Sequence, residues 1–302
     1  MSSADDIPSW ERDGRDWPNR DSSRFVSAAG MRWHLQEMGQ GPVLLMLHGT
    51  GAATHSWRAF APILAEHFRL IAPDLPGHGF TTPPPYHSMS LPGMAGYVAE
   101  LVETLGVEPD LVLGHSAGAA ILIRACLEGR LAPRGLISLN GALMPWRGLP
   151  GHVFSPAAKL FAKNSLVSRL FALRAANRKS IQRLVDSTGS TLEPFGVDLY
   201  QRLIRSPSHV RASLSMMANW DLTLIEEGLP RLETPLFLVV GEGDTTVSPR
   251  EAQRVRQHLL PAAELTMLPE LGHLAHEERP REVAEVVRRI AGRLGLLSVP
   301  SV

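Results

Sequence analysis

The sequence predicts an α/β fold in which a mostly parallel central sheet is covered by helices. Short unbroken apolar runs recur along the chain, as is typical of strands that are buried on both faces. Segments of helix length lie between these runs, so strands and helices alternate as they do in α/β proteins. A chain of 302 residues is long enough for one large domain that carries an inserted segment.

The strands are predicted from a hairpin and five apolar runs. Residues 24–28 and 31–37 flank the turn residue Gly30 and form the predicted hairpin. The buried strands are predicted at residues 43–47, 70–72, 111–113, 136–139 and 236–240. The helices are predicted at residues 57–66, 94–105, 117–127, 249–259 and 281–294.

Two regions depart from this alternation. Residues 141–233 contain several helical patterns and no convincing strand, so they predict a helical lid inserted into the core. The core then comprises residues 1–140 and 234–302. Its N-terminal arm, residues 1–23, is largely polar and is expected to cross the surface as an irregular segment. Within the lid, Ser206 and Pro207 predict a helix start, with Ser as N-cap and Pro at the first helical position.

Composition and charge argue against several classes of protein. Lys plus Arg and Asp plus Glu each total 30, so the molecule has no net charge that would attract nucleic acid. None of its lysines follows glycine in the P-loop pattern, which argues against a nucleotide-driven motor of that type. Cys126 is the single cysteine and no apolar stretch could span a bilayer, so we expect a cytoplasmic protein.

The strongest functional motif is the G-x-S-x-G sequence at residues 114–118, which follows an apolar strand and opens a predicted helix. The turn requires small residues beside the serine, because larger side chains would collide with the neighbouring strand or helix. Such a strained turn presents the serine hydroxyl at the carboxyl edge of the sheet. Ser116 is therefore the candidate nucleophile.

A candidate base and a candidate acid follow Ser116 along the chain. A serine hydroxyl needs a base to accept its proton and a third group to orient that base. Asp244 stands just beyond the strand at residues 236–240, and His273 lies in a loop before the last predicted helix. Each has a simpler interpretation, as a turn cap or as a solvated loop histidine. Together they complete the order Ser, acid, His that this motif requires.

The glycine-rich turn at residues 48–51 directly follows the strand at residues 43–47. Glycines let the backbone approach an oxyanion, so the N–H groups of Thr50 and Ala117 form the predicted oxyanion hole. A plain glycine turn is the alternative interpretation of this stretch.

A metal site near His276 has to be weighed, because this residue lies close to His273 and is followed by Glu277 and Glu278. No cysteine and no second histidine cluster supports such a site. We therefore expect His276 at the exposed start of the last helix, and the sequence predicts neither a metal nor a cofactor.

With the turn at residues 74–79, these motifs resemble the α/β-hydrolase superfamily across nearly the whole chain. Shorter stretches are similar to the magnesium-chelatase accessory proteins of bacteriochlorophyll biosynthesis: DWPNR at 16–20, SRFV at 23–26, RWH at 32–34, HGTGA at 48–52, THSWR at 54–58 and GHSAGA at 114–119. This resemblance implies a role near the insertion of Mg²⁺ into protoporphyrin IX in a photosynthetic bacterium. It makes a porphyrin or porphyrin ester the candidate small-molecule ligand and the chelatase subunits candidate partners.

Two other interpretations stay open. The same core parts occur in carboxylesterases and in hydrolases of carbon–carbon bonds from unrelated pathways. Alternatively, the fold could serve as a non-catalytic porphyrin-binding or delivery factor for the chelatase. Whether Ser116 is needed for the biological role distinguishes the catalytic interpretations from the binding interpretation.

Residues 141–185 form a basic segment without Asp or Glu. Leu166, Leu170 and Phe171 have roughly helical spacing, which makes the segment amphipathic. One interpretation is a lid helix that packs inward and leaves its charges in solvent. The other is a seat for porphyrin propionates or a weak peripheral contact with the anionic inner membrane. Its cations are Arg147, Lys159, Lys163, Arg169, Arg174, Arg178, Lys179 and Arg183.

We predict that this basic segment binds anionic vesicles or protoporphyrin weakly and in a salt-dependent manner. Exposed charges attract within about 8 to 10 Å near physiological salt, and each basic residue near an anionic membrane contributes about 1 kcal/mol. Co-sedimentation and fluorescence titration at low and high salt measure the two partners. Esterifying both propionates should weaken porphyrin binding. Unchanged binding after substitution of four cations by Gln would contradict the prediction: Lys159, Lys163, Arg169 and Arg174.

Overall fold

A central sheet runs through the computed structural model, which describes residues 8–145 and 177–297. The strand order is β1-β2-β4-β3-β5-β6-β7-β8. β1 and β2 pair antiparallel, β2 is antiparallel to β4, and all later pairs are parallel. The strands are β1 (Ser23–Ala28), β2 (Met31–Met38), β3 (Val43–Leu47), β4 (Arg69–Pro73), β5 (Leu111–His115), β6 (Gly135–Leu139), β7 (Leu236–Gly241) and β8 (Glu264–Leu268).

Helices cover the sheet, and the predicted α/β class is confirmed. They are α1 (Trp10–Asp13), α2 (Phe60–Leu64), α3 (Leu91–Thr104), α4 (Ala117–Leu127), α5 (Arg178–Asp186), α6 (Pro194–Ile204), α7 (Pro207–Ala218), α8 (Thr223–Gly228), α9 (Pro249–Arg254), α10 (Ala275–Glu278) and α11 (Pro280–Arg293). The helix predicted at residues 57–66 is shorter, because a 3₁₀ turn (Thr54–Trp57) precedes α2. None of the helices in the described ranges is long and apolar enough to cross a membrane.

Strand β3 explains why the apolar runs are unbroken. Leu45 and Leu47 belong to the core on one face of the sheet, whereas Leu44 and Met46 belong to the core on the other. Successive side chains of a strand point to opposite faces, so a strand covered on both sides needs apolar residues at every position. The first core includes residues of α3 and α4, and the second includes residues of α2 and α11.

The edge strand β8 was not predicted. Its first four residues are only half-buried, and Leu268 alone is fully buried. An edge strand does not need an unbroken apolar run, and polar residues interrupt this one at Glu264 and Thr266. The pattern used for the inner strands therefore missed it.

The N-terminal arm differs from its prediction. Residues 10–13 are helical, and Trp17 is almost fully buried, with its indole N–H donating to Thr54 Oγ1 (3.0 Å). The ring of Trp10 meets Phe25 and Phe80 edge-on. The described part of the arm thus lies mostly at the surface, as expected, but it contains a short helix and its Trp17 side chain packs into an apolar cluster.

Helices α5 to α8 lie between β6 and β7, in the part of the predicted lid that the structure describes. The predicted helix start is confirmed, because α7 begins at Pro207 and Ser206 Oγ accepts the His209 N–H (3.4 Å). The division into core and lid stays a prediction. Most of the basic segment lies outside the described residues, including Lys159, Lys163, Arg169 and Arg174 with the apolar Leu166, Leu170 and Phe171.

Asp74, just beyond β4, joins three parts of the core and is fully buried. Its Oδ2 accepts the Phe80 N–H (2.9 Å) and bonds to His34 Nδ1 (2.7 Å), and its Oδ1 accepts the Thr54 N–H (2.7 Å). Burial raises the pKa of this carboxyl, but His34 and the hydrogen bonds outweigh burial and hold the pKa below its ordinary value. Asp74 is therefore an anion that ties β2 to the turn before α2.

We expect Asp74→Asn to lower the free energy of unfolding at pH 7 by about 3 kcal/mol, because it removes the charge from a buried, hydrogen-bonded pair. The folded pKa is depressed, so the wild-type advantage is present above about pH 4 and is lost as the pH falls further. Urea denaturation at pH 7 and below pH 4 measures both effects. Asp110→Asn, at a carboxylate that accepts the Val43 N–H near the surface, serves as the control. A loss of equal size in the control would contradict the prediction.

Candidate active site

The G-x-S-x-G sequence forms a sharp turn between β5 and α4. Ser116 has φ 52° and ψ −118°, a strained conformation for a residue with a side chain. A Cβ at Gly114 would overlap the backbone of Ala119, and a Cβ at Gly118 would overlap the carbonyl oxygen of Leu47. The close approach of strand and helix explains why this turn needs glycine on both sides of the serine.

Asp244 and His273 are in direct contact, with His273 Nδ1 2.7 Å from Asp244 Oδ2. Asp244 Oδ1 accepts the N–H groups of Thr246 (2.8 Å) and Val247 (2.9 Å). Burial raises the pKa of Asp244, but the hydrogen bond and charge of His273, together with the backbone donors, bring it below its ordinary value. An ionised carboxylate can only accept, so Nδ1 carries the proton and Nε2 presents a lone pair.

The predicted turn-cap role of Asp244 and its contact with the histidine are both present. One carboxylate oxygen caps the turn before α9, and the other meets the imidazole. His273 is buried rather than solvated. Ser116 Oγ forms no hydrogen bond to His273 within the described residues, and such bonds are often long in the absence of substrate.

Asn140 also belongs to this site, although the sequence analysis missed it. It directly follows β6 in the left-handed region (φ 47°), and its Nδ2 donates to Asp244 Oδ2 (2.7 Å). β6 pairs with both β5 and β7. Its carboxyl end therefore lies between the turn at Ser116, which we call the elbow, and the loop after β7 that carries Asp244. A polar residue directly after the run at residues 136–139 was the signal that could have identified it.

His115 links the elbow to the loop that carries His273, which we call the histidine loop. Its ring is buried, and its Nε2–H donates to the carbonyl oxygen of His273 (2.9 Å). Burial lowers the pKa of His115 to about 3, with a smaller contribution from His273, so the ring is neutral at physiological pH. The residue before Ser116 therefore holds the backbone of His273.

The glycine turn after β3 passes directly beside the serine. A Cβ at Gly49 would lie 2.9 Å from Ser116 Cβ, which is too close for two carbon atoms that are not bonded, so this position requires glycine. Thr50, the predicted oxyanion-hole residue, is half-buried in this turn, and its Oγ1–H donates to Met216 Sδ (3.6 Å) on α7. The turn thus lies between the elbow and a helix of the predicted lid. Ala117, which supplies the second predicted amide, is the first residue of α4.

His209 on α7 fastens the same turn from the other side, and the sequence analysis missed it as well. Its Nδ1 accepts the Gly79 N–H (3.1 Å), and its Nε2–H donates to the Gly51 carbonyl oxygen (3.1 Å). Burial lowers the pKa of His209 to about 4. A neutral imidazole supplies the one acceptor and one donor that this bridge requires.

The expectation that His276 is exposed is wrong. Its ring is fully buried in α10, 4.6 Å from the ring of Trp57 and 4.7 Å from the ring of His115, measured between centroids. Burial holds its pKa well below the ordinary value. The short helix α10 turns this face towards the 3₁₀ turn before α2 rather than towards solvent. Within the described residues, no group of three or more His, Cys, Asp or Glu side chains could hold a metal ion.

Comparison with known proteins agrees with this geometry. Residues 42–280 match the α/β hydrolase fold family. The chain belongs to this family. It is 37% identical over 263 residues to the magnesium-chelatase 30 kDa subunit of Rhodobacter capsulatus, a match that covers 86% of the chain and 91% of that relative. Both resemblances that the sequence motifs indicated are therefore confirmed.

Two further proteins extend the comparison. The pimeloyl-[acyl-carrier protein] methyl ester esterase of Vibrio vulnificus is 26% identical over 267 residues, which are 86% of this chain and 98% of that protein. The crystal structure of an α/β hydrolase fold protein from Burkholderia ambifaria superimposes with a TM-score of 0.74 at 22% identity, covering 88% of this chain and 97% of that chain. The solved structure supports the fold alone.

We predict that His209 makes this α/β hydrolase sensitive to acid. Its folded pKa of about 4 lies below the ordinary value of 6.5, so the unfolded chain takes up the proton first as the pH falls. The stability that His209 contributes is lost between these two values, by about 3 kcal/mol in total. His209→Gln keeps one donor and one acceptor, and its free energy of unfolding should fall less steeply between pH 7 and pH 4. Chemical denaturation across this range measures the slopes.

The exposed His258 supplies the matched control for this measurement. His258→Gln should keep the wild-type slope, because this side chain is exposed to solvent in the folded protein as well as in the unfolded chain. Equal slopes for His209→Gln and the wild type would show that His209 does not cause the acid sensitivity.

Proposed function

We propose that this protein is a serine hydrolase that cleaves an ester-type bond and acts as an accessory protein of magnesium chelatase in bacteriochlorophyll biosynthesis. The observation that carries the hydrolase part is the 2.7 Å contact between Asp244 and His273 beside the strained elbow at Ser116. The chelatase part is supported by the 37% identity to a magnesium-chelatase subunit.

In the proposed reaction, Ser116 Oγ attacks the ester carbonyl carbon while His273 Nε2 accepts the hydroxyl proton. The backbone N–H groups of Thr50 and Ala117 bind the developing oxyanion. His273 then donates its proton to the leaving alkoxide, which leaves an acyl group on Ser116. Water attacks this acyl group with His273 again as base, and the carboxylic acid product and the free serine result.

The local electrostatics favour a positive charge on His273 rather than on its neighbour. Asp244 is ionised and its oxygens also receive donors from Thr246, Val247 and Asn140, so the carboxylate is held in place to stabilise an imidazolium. Within the described residues no carboxylate is hydrogen-bonded to the His115 ring, and its pKa is about 3. A proton taken from the serine is therefore directed to His273.

The candidate substrate is a porphyrin or porphyrin ester, and the candidate macromolecular partners are the chelatase subunits. This assignment is supported by the similarity to the chelatase 30 kDa subunit. A generic esterase from another pathway remains the rival, and the similarity to a methyl ester esterase favours the same bond type in either case.

We expect a fluorophosphonate probe to label Ser116 in the folded protein, and Ser116→Ala to lose esterase activity by about a thousandfold or more. The adduct is mapped by peptide mass spectrometry, with a known serine hydrolase as positive control. Ser27→Ala, at an exposed serine, should label and turn over like the wild type. Absence of an adduct at Ser116 would contradict the hydrolase proposal.

The same variant separates catalysis from porphyrin binding or delivery without turnover. That second function is favoured by the similarity to a magnesium-chelatase subunit. Expressed in a deletion strain of a photosynthetic bacterium, folded Ser116→Ala should fail to restore pigment synthesis if turnover is required. Restoration by this variant would instead support the binding function.

A further inference from the structure

The loop at residues 187–191, which follows α5, lies against both loops that carry the acid and the histidine. We call it the clamp loop. The carbonyl oxygen of Thr188 accepts the N–H groups of His273 (3.2 Å) and Thr245 (3.4 Å), and the carbonyl oxygen of Ser187 accepts the Thr245 hydroxyl (2.8 Å). Part of the predicted lid is thus bonded directly to the backbone of His273.

Ser190 and Glu278 hold the residues on either side of His273. Ser190 is almost fully buried, and its Oγ accepts the Leu274 N–H (2.8 Å) while donating to Glu278 Oε2 (2.9 Å). The same carboxylate oxygen accepts the Gly272 N–H (2.8 Å). Glu278 Oε1 accepts the N–H of Thr191 (3.0 Å), which joins α10 to the clamp loop.

The backbones meet here without room for side chains. A Cβ at Gly189 would overlap the carbonyl oxygen of Gly243, next to Asp244, and Gly189 has φ 76°. A Cβ at Gly272 would overlap the carbonyl oxygen of Gly189. Such direct backbone contact leaves little freedom for the histidine loop to shift relative to the clamp loop.

We propose that Ser190 and Glu278 are positioning residues for His273, which fix its backbone so that the ring meets Asp244 and faces Ser116. The proposal rests on the proposed hydrolase function. Asp244 orients the imidazole ring and His115 holds the His273 carbonyl oxygen. Ser190 accepts the N–H of Leu274, the residue after His273, and Glu278 accepts the N–H of Gly272, the residue before it. Small displacements of a catalytic group reduce rates strongly, and supporting residues of this kind prevent them.

Glu277 provides a matched control beside Glu278 on α10. Its carboxylate also joins the core to the predicted lid, but its hydrogen bonds go to Tyr200 (2.7 Å) and Arg58. Glu277→Gln therefore weakens attachment of α6 while it leaves the contacts of Gly272 and Leu274 in place. A general effect of loosening the lid would appear in this variant too.

Two measurements on the full chain test the proposal. The first is the rate of fluorophosphonate labelling of Ser116, and the second is the NMR resonance of the His273 Nδ1 proton, assigned by its loss in His273→Ala. We expect Ser190→Ala and Glu278→Ala to slow labelling by about tenfold to a hundredfold and to shift or broaden the resonance. Glu278→Gln, which keeps one acceptor oxygen, should recover part of both. Glu277→Gln should resemble the wild type.

The outcomes separate the proposal from the function on which it rests. A wild-type protein that does not label contradicts the hydrolase function, and the resonance then still decides whether Ser190 and Glu278 position His273. Wild-type labelling and an unchanged resonance in Ser190→Ala would overturn the positioning role, as would equal changes in Glu277→Gln. If Ser190→Ala or Glu278→Ala does not fold, Glu278→Gln is compared with the wild type in both measurements. An unchanged labelling rate together with an unchanged resonance in this variant then overturns the positioning role.

Discussion

The candidate site depends on one constraint, which is that four parallel strands end at the same edge of the sheet and their following loops must share that edge. β3 leads into the glycine turn, β5 into the serine elbow, β6 into Asn140, and β7 into the loop of Asp244. Backbones approach so closely there that a side chain would collide at several positions, namely Gly49, Gly114, Gly118, Gly189 and Gly272. The crowding that excludes side chains also brings hydrogen-bonding groups within range, so packing and site geometry have a common cause.

The inner strands, the elbow and the order of the candidate triad could be predicted because each depends on a local pattern. A strand that is buried on both faces requires an unbroken run of apolar residues, and the tight turn at Ser116 requires glycines around the serine. The supporting residues could not be predicted in this way, since their partners are remote in sequence. His209 bonds a residue 130 positions away, and Ser190 one 84 positions away. The residues next to His209 and Ser190 in the sequence form no pattern that would predict these contacts.

The buried histidines illustrate how one side chain serves two purposes. Where burial is the largest influence, as at His115 and His209, the ring stays neutral. The neutral His209 ring bridges two loops with one donor and one acceptor, whereas His115 donates to the carbonyl oxygen of His273. At His273 the ionised carboxylate of Asp244 lies against the ring, where it can stabilise a positive charge on the imidazole. The sequence analysis placed His276 at an exposed helix start, whereas the carboxylates of the adjacent Glu277 and Glu278 are bonded to Tyr200 and Ser190 of the predicted lid.

Because Gly189 contacts Gly243 and Gly272, the region between β6 and β7 cannot be replaced without affecting the loops that carry Asp244 and His273. A chimera that received this region from another α/β hydrolase would also receive a different spacer against the histidine loop. The alignment of the histidine would thus change together with this region. Residues 187–191 and residues 272–278 should therefore be exchanged as a pair, because their backbones are in direct contact.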